Sequence, residues 1–213
     1  MSLLVTAVML TRNRPQYVPL AIAQFLDQTY ANCELMILDD GDPVVVPQHP
    51  RIAYRHLDKT QTIGGKRNIG CGLASGDVIV NWDDDDWSHS DRIATQVARL
   101  QSSGKQLTGY NELLYWNEPD GKTYKFVCKE PYAAGSSQCF YRAWWEGHRY
   151  PNIQSGEDQA MSMMAAKAGQ LDCQDGGQML VARAHFGNTW KPPLGNWEFP
   201  EWDRAAFPSE FFE

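Results

Sequence analysis

Positive charge is in deficit along this chain: 19 Lys and Arg stand against 26 Asp and Glu, a formal net charge of −7. A nucleic-acid-binding surface is normally basic, so this balance argues against that class of function. It leaves a phosphate-bearing ligand open, because a divalent cation can supply the missing positive charge. Patterned cysteine is also lacking. Cys33, Cys71, Cys128, Cys139 and Cys173 are odd in number, widely spaced and free of any CxxC pair. That favours buried thiols in a reducing compartment over a disulfide framework or a zinc site. The N-terminal run MSLLVTAVML has no basic flank and no small-residue cleavage site, and Arg12, Asn13 and Arg14 end it. It is too short to span a bilayer and reads as a buried first strand. The expectation is a cytoplasmic protein with no integral membrane segment. No GxxxxGK[ST] phosphate loop, internal repeat or clear linker occurs.

What is present suits one well-buried domain over residues 1–213, for 43% of the chain is hydrophobic and 21% charged. Leu3 to Leu10 is a continuous apolar run closed by Thr11-Arg12-Asn13-Arg14, as in a buried parallel strand. Pro15 suits the first turn of a helix carrying Tyr17, Leu20, Ala21, Gln24 and Phe25 at helical spacing. Glu34 to Leu38 is a second apolar run, closed by Asp39-Asp40-Gly41-Asp42, and Arg51 to Leu57 a third strand. Gly64-Gly65 precedes a helical stretch from Lys66 to Ala74. Asp77 to Trp82 runs into Asp83-Asp84-Asp85-Asp86, and Ser90 can cap a helix that reaches about Ser102. Strand and helix alternating at these lengths predict a mainly parallel sheet covered on both faces. Ligands bind such sheets beyond the carboxyl ends of the strands, where all three polar clusters fall. The second half is less regular. Strands flank a turn at Pro119-Asp120-Gly121, Ala143 to Glu146 suits a short helix, and Gly156 to Gly169 suits a longer one. Met179 to His185 reads as a last strand.

The acidic tetrad between Trp82 and Trp87 is the strongest local feature. Four adjacent carboxylates repel one another, and a cation relieves that repulsion. Oxygen ligands select Mg²⁺ or Mn²⁺, which keep waters while bridging substrate phosphates. A solvated acidic turn is the plainer alternative. An Asp at a strand end, as in Asp39-Asp40-Gly41-Asp42, can accept from a nucleoside, although Asp-Gly is also common in ordinary turns. Gly64-Gly65-Lys66-Arg67-Asn68 offers backbone N–H groups and two cations to an anion, or is simply a helix start with basic residues. Glu157 and Asp158 suit the dipole of a helix N-terminus, and either can serve as a general base. His185 is structural or completes a metal site.

In this order the clusters resemble the inverting family 2 glycosyltransferases of the GT-A fold. The matching text is Val8-Met9-Leu10-Thr11-Arg12-Asn13-Arg14, Leu38-Asp39-Asp40-Gly41, Gly64-Gly65-Lys66-Arg67-Asn68, Trp82-Asp83-Asp84-Asp85-Asp86 and Gly156-Glu157-Asp158. The resemblance implies a metal-dependent transferase that uses Mn²⁺ or Mg²⁺ and moves a sugar from a nucleotide-diphosphate donor, UDP above all, to a carbohydrate or other hydroxyl-bearing acceptor. Residues 1–103 would bind the nucleotide-sugar and 104–213 the acceptor. Thr11, Arg12, Asn13, Asp39, Asp40, Lys66 and Arg67 would line the nucleotide pocket. Asp83 or Asp84 would contact ribose or sugar, Asp85 with Asp83 and His185 would hold the metal, and Asp158, with Glu157 as runner-up, would be the base. Asp42 stands where the family usually has Ser and Lys66 where it often has Ala, and the tetrad offers two registers of the DxD motif. The chain ends soon after this core, so a processive, membrane-embedded synthase is not expected.

Trp144, Trp145, Trp190 and Trp197 offer flat faces for an acceptor sugar, with core packing as the alternative. Two rival functions remain. A sugar-phosphate nucleotidyltransferase usually has a glycine-rich loop after its first strand, and Thr11 to Pro15 contains no glycine. A non-catalytic nucleotide-sugar or carbohydrate-binding module is disfavoured by Asp85 and Asp158.

Overall fold

The computed structural model describes residues 2–189, 191–196 and 198–212, apart from the side chain of Glu210. The first apolar run forms β1 (Val5–Thr11), followed by α1 (Val18–Leu26), β2 (Cys33–Asp39), β3 (Ile52–His56), α2 (Ile63–Leu73) and β4 (Val78–Asp83). These four strands are parallel, in the order β3-β2-β1-β4. Six of the seven β1 residues are buried, as both faces of the strand are covered. The register pairs Thr11 with Asp39 and Leu10 with Asp83, so the polar clusters meet at one rim.

Two sequence boundaries shift for physical reasons. The first-turn proline of α1 is Pro19, whereas Pro15 lies in the preceding turn. Gly64 and Gly65 lie inside α2, because Thr62 is its N-cap and its hydroxyl accepts from the Gly65 N–H at 3.0 Å.

Beyond β4 come β5 (Trp87–Ser88), α3 (Arg92–Ser103), β6 (Leu107–Asn117), β7 (Lys122–Val127) and β8 (Cys139–Tyr141). Helices α4 (Arg142–Gly147) and α5 (Glu157–Lys167) precede β9 (Leu171–Asp175) and β10 (Leu180–Ala184). Asp91 rather than Ser90 precedes α3, and it makes no side-chain cap. β8 lies antiparallel between β4 and β6, so one sheet runs through both halves of the chain. The long β6 also pairs with β7, β9 and β10.

Helices cover both faces of the sheet. On one, α1 and α3 bury Phe25, Ile93 and Leu100 against Leu35, Val80 and Trp82. On the other, α2, α4 and α5 bury Cys71, Trp145 and Met161 against Val8, Ile79 and Phe140. Each such side chain contributes about 1.5–3 kcal/mol by leaving water. Among the described residues no helix is long and apolar enough to cross a membrane.

The acidic tetrad spans the end of β4 and the turn into β5, and β5 pairs antiparallel with β10. That pairing carries Arg183 and His185 to the acids.

Candidate active site

A cavity of about 930 Å³ opens along this rim, and Asp40, Asp85 and Asp158 all line it. Thr11, Arg12, Lys66, Arg67, Asp83, Asp84 and Glu157 line the same cavity. Asn13, Asp39 and His185 do not belong to its lining. Asn13 takes a left-handed backbone (φ 54°) and its Oδ1 accepts the Asp42 N–H at 2.7 Å, which fixes the two loops together. Asp39 is fully buried below the cavity, where its carboxylate accepts from the Gly41 N–H (2.9 Å), the Val44 N–H (3.2 Å) and the Tyr54 hydroxyl (3.0 Å). Both organise loops beneath the pocket.

At the α2 end, Asp40 and Lys66 form a buried ion pair. The Lys66 ammonium also donates to the Thr11 carbonyl at 3.0 Å, and the Gln61 N–H donates to Asp40 Oδ2 at 2.8 Å. Burial pulls the Lys66 pKa down, and its bond to Asp40 opposes that.

At the centre, Arg14 bridges the tetrad. Its Nη1 lies 2.8 Å from both Asp84 Oδ1 and Asp85 Oδ2, and its Nη2 donates to the Gly187 carbonyl at 2.7 Å. Asp86 Oδ1 accepts the Arg183 N–H at 3.0 Å, and the Asp85 carbonyl accepts from Arg183 Nε at 3.1 Å. Arg183 is itself held by Glu118 at 2.8 Å and by the rings of Tyr17 and Trp116. Loss of hydration, followed by repulsion from Asp85, pushes the Asp84 carboxyl up to about 6. Desolvation also raises Asp83, against the pull of Arg67, and raises Asp86 well above the carboxylate range.

These acids fit a cation. Asp83, Asp85 and Asp86 each offer an oxygen within 4.8 Å of the others. A hard divalent ion suits such a set, and its charge would offset the desolvation and the repulsion from Asp85 that raise Asp83 and Asp86. His185, expected as a further ligand, has its Nε2 2.8 Å from Asp85 Oδ2, and the Gly187 N–H donates to its Nδ1 at 3.0 Å. Asn188 Nδ2 donates to the same Asp85 oxygen at 3.2 Å.

At the start of α5 the two acids part company. Glu157 is buried and accepts from Arg67 Nε at 3.3 Å. Desolvation raises its pKa, against the pull of Arg67. Asp158 is half-buried in the cavity wall, with the Tyr132 hydroxyl donating to its Oδ2 at 2.5 Å. Gly135 backs this carboxylate so closely that a Cβ there would lie 2.9 Å from Asp158 Oδ2.

The wall next to Asp158 is aromatic: Tyr115, Phe126, Tyr132 and Phe199 line the cavity and pack edge-to-face or tilted on one another. Of the four tryptophans weighed between a sugar platform and core packing, the two described ones stand elsewhere. Trp145 is buried with its Nε1 donating to Asn68 at 2.9 Å, and Trp144 stacks on His148 at 3.6 Å. Trp190 and Trp197 lie outside the described residues. The bridging role of Arg14 and the aromatic wall were missed from sequence; Arg14 had one signal, its place in the motif after β1.

Known proteins share this architecture. The structure resembles residues 1–349 of S. aureus TarS in complex with UDP-GlcNAc, with a TM-score of 0.71, 14% identity and coverage of 87% of this chain and 60% of that one. It also resembles the mannosyltransferase PcManGT from Pyrobaculum calidifontis in complex with GDP-Man and Mn²⁺, with a TM-score of 0.69, 14% identity and coverage of 89% and 59%. The fold is the GT-A glycosyltransferase fold. Glycosyltransferase GlyG of Streptococcus pneumoniae is 27% identical over 135 residues, covering 60% of this chain and 44% of GlyG. Succinoglycan biosynthesis protein ExoO of Rhizobium meliloti is 30% identical over 109 residues, covering 48% of this chain and 31% of ExoO. The matched region thus spans less than half of either curated relative. The model of glycosyl transferase family 2 matches residues 6–156, most of the sequence, and the chain belongs to that family.

Proposed function

We propose that the chain transfers a sugar from a nucleoside-diphosphate donor to an acceptor hydroxyl, with inversion at the anomeric carbon. The observation that supports it is the cleft shared by Asp40, Asp85 and Asp158. The nucleoside lies towards Asp40 and Lys66, in the half formed by residues 1–103, and the acceptor lies against the aromatic wall of the half formed by 104–213. Asp158 removes the proton of the attacking hydroxyl, and one in-line displacement inverts the centre. Tyr132 holds the Asp158 carboxylate in place by its hydrogen bond. Glu157 holds Arg67 in place at the cavity wall, where Arg67 Nη1 is buried without a partner among the described residues and can donate to the donor substrate. Arg14 already reaches two acids and orients them. A divalent cation held by Asp83, Asp85 and Asp86 would supply positive charge against the leaving diphosphate.

Incubation with UDP- and GDP-sugars and Mn²⁺ tests this proposal. Slow release of the nucleoside diphosphate supports the transferase. Tight binding without any release would instead identify a binding module.

A further inference from the structure

We infer that the Tyr115 hydroxyl hydrogen-bonds the sugar being transferred, so that Tyr115 touches the donor between the cation site and the base. The inference rests on the proposed donor site and deepens it. In an in-line displacement the anomeric carbon lies between the attacking oxygen, here beside Asp158, and the leaving diphosphate oxygen, here beside the acidic turn. The sugar ring therefore occupies the part of the cleft between Asp158 and Asp86.

Tyr115 belongs there by its place in the sheet. It lies in β6 opposite Ala182 of β10, and both residues line the cavity. The next residue of β10, Arg183, gives its N–H to Asp86 Oδ1 at 3.0 Å, so the acidic turn borders Tyr115 on this side. Towards the base, the Tyr115 ring packs edge-on to Phe126 at 6.5 Å, and Phe126 packs edge-on at 6.0 Å to Tyr132, whose hydroxyl holds Asp158. Phe199 meets the Tyr115 ring at 5.1 Å and 84°, which fixes its direction further. The phenol at its tip has no hydrogen-bond partner among the described residues. A buried tyrosine hydroxyl usually finds one, and here the space it faces belongs to the ligand. Burial, followed by the charges of Asp86, Asp158, Asp83 and Asp85, pushes the phenol far above its ordinary pKa. It is thus a neutral donor facing both groups of acids. A sugar hydroxyl matches it, because each can donate and accept and neither adds charge.

Tyr115→Phe removes the oxygen and keeps the packed ring. Calorimetric titration of the full chain and of this variant, with Mn²⁺ present, compares UDP-glucose, UDP-N-acetylglucosamine and GDP-mannose with UDP and GDP. The variant should bind the sugar nucleotide that the wild type prefers about fivefold or more weakly, while its affinity for the matching diphosphate stays within about twofold. That retained diphosphate affinity also shows the variant to be folded. A sugar-nucleotide affinity that falls no further than that of the diphosphate would overturn the inference and leave the donor site standing. A wild-type chain that binds UDP or GDP but none of the three sugar nucleotides would equally overturn it. Failure of all five compounds to bind the wild type would remove the donor site itself, and this inference with it.

Discussion

The Tyr132 hydroxyl donates to Asp158 Oδ2 at 2.5 Å across 26 residues of sequence. A base acts from a fixed position, and this bond holds the carboxylate against the cavity wall. Tyr132→Phe should therefore lower kcat by about tenfold or more while donor affinity stays close to that of the wild type. An unchanged kcat would show that Tyr132 does not position Asp158.

Asp158 and Glu157 are adjacent but differently employed, and substitution should separate them. Asp158→Asn should keep donor binding while transfer falls by about 10²–10⁴. Glu157→Gln retains an acceptor for Arg67, so turnover should stay within about tenfold of wild type. Steady-state rates beside calorimetric donor affinity are the measurement, and the reverse ranking would make Glu157 the base.

Gly135 is required by proximity. Because an added Cβ would lie 2.9 Å from Asp158 Oδ2 and 3.1 Å from Asp158 Cβ, Gly135→Ala must push the carboxylate aside. Displacement of a catalytic group by about 1 Å can cost about 10² in rate. The variant should lose kcat by an order of magnitude or more while keeping its circular-dichroism spectrum and donor affinity.

The acidic turn makes a prediction about stability. Asp84 has its carboxyl raised from 3.8 to about 6 in the folded chain, chiefly by burial. Between those values the folded state holds more protons than the unfolded one, so the contribution of Asp84 to stability grows as pH falls through this window and is lost as pH rises. Asp84→Asn should then stabilise the metal-free protein at pH 7 by about 1–3 kcal/mol, and by less at pH 5. Thermal melts at the two pH values, without added cation, read this directly. A lower Tm for the variant at pH 7 would mean that the contact with Arg14 outweighs desolvation.

Legibility of the sequence followed the range of the forces involved. β1, β2 and β4 were readable because burial on both faces leaves a continuous apolar run, and their polar ends marked the rim. The place of Gly64 was misread because its reason is tertiary: a Cβ there would collide with the Pro151 carbonyl, far away in sequence. β5 and β9 went unseen, since two residues carry no periodicity and Leu171–Asp175 is half polar. The role of Trp145 was undecided in the sequence for a related reason. An indole fits a core as readily as a sugar platform, and only the packing of α4 against α2 and β8 decides that Trp145 is internal. Arg14 was visible as a residue but not as a bridge, because its partners lie 70 and 71 positions downstream.

Asp85 meets His185 and Asn188 at separations of 100 and 103 residues. A chain emerging from the ribosome therefore holds its acidic turn without those two partners until 100 and 103 further residues have been added. Contacts this distant form late in folding, after the loops that join them have closed. The position of the Asp85 carboxylate is therefore set only when β10 and the loop that follows it have docked.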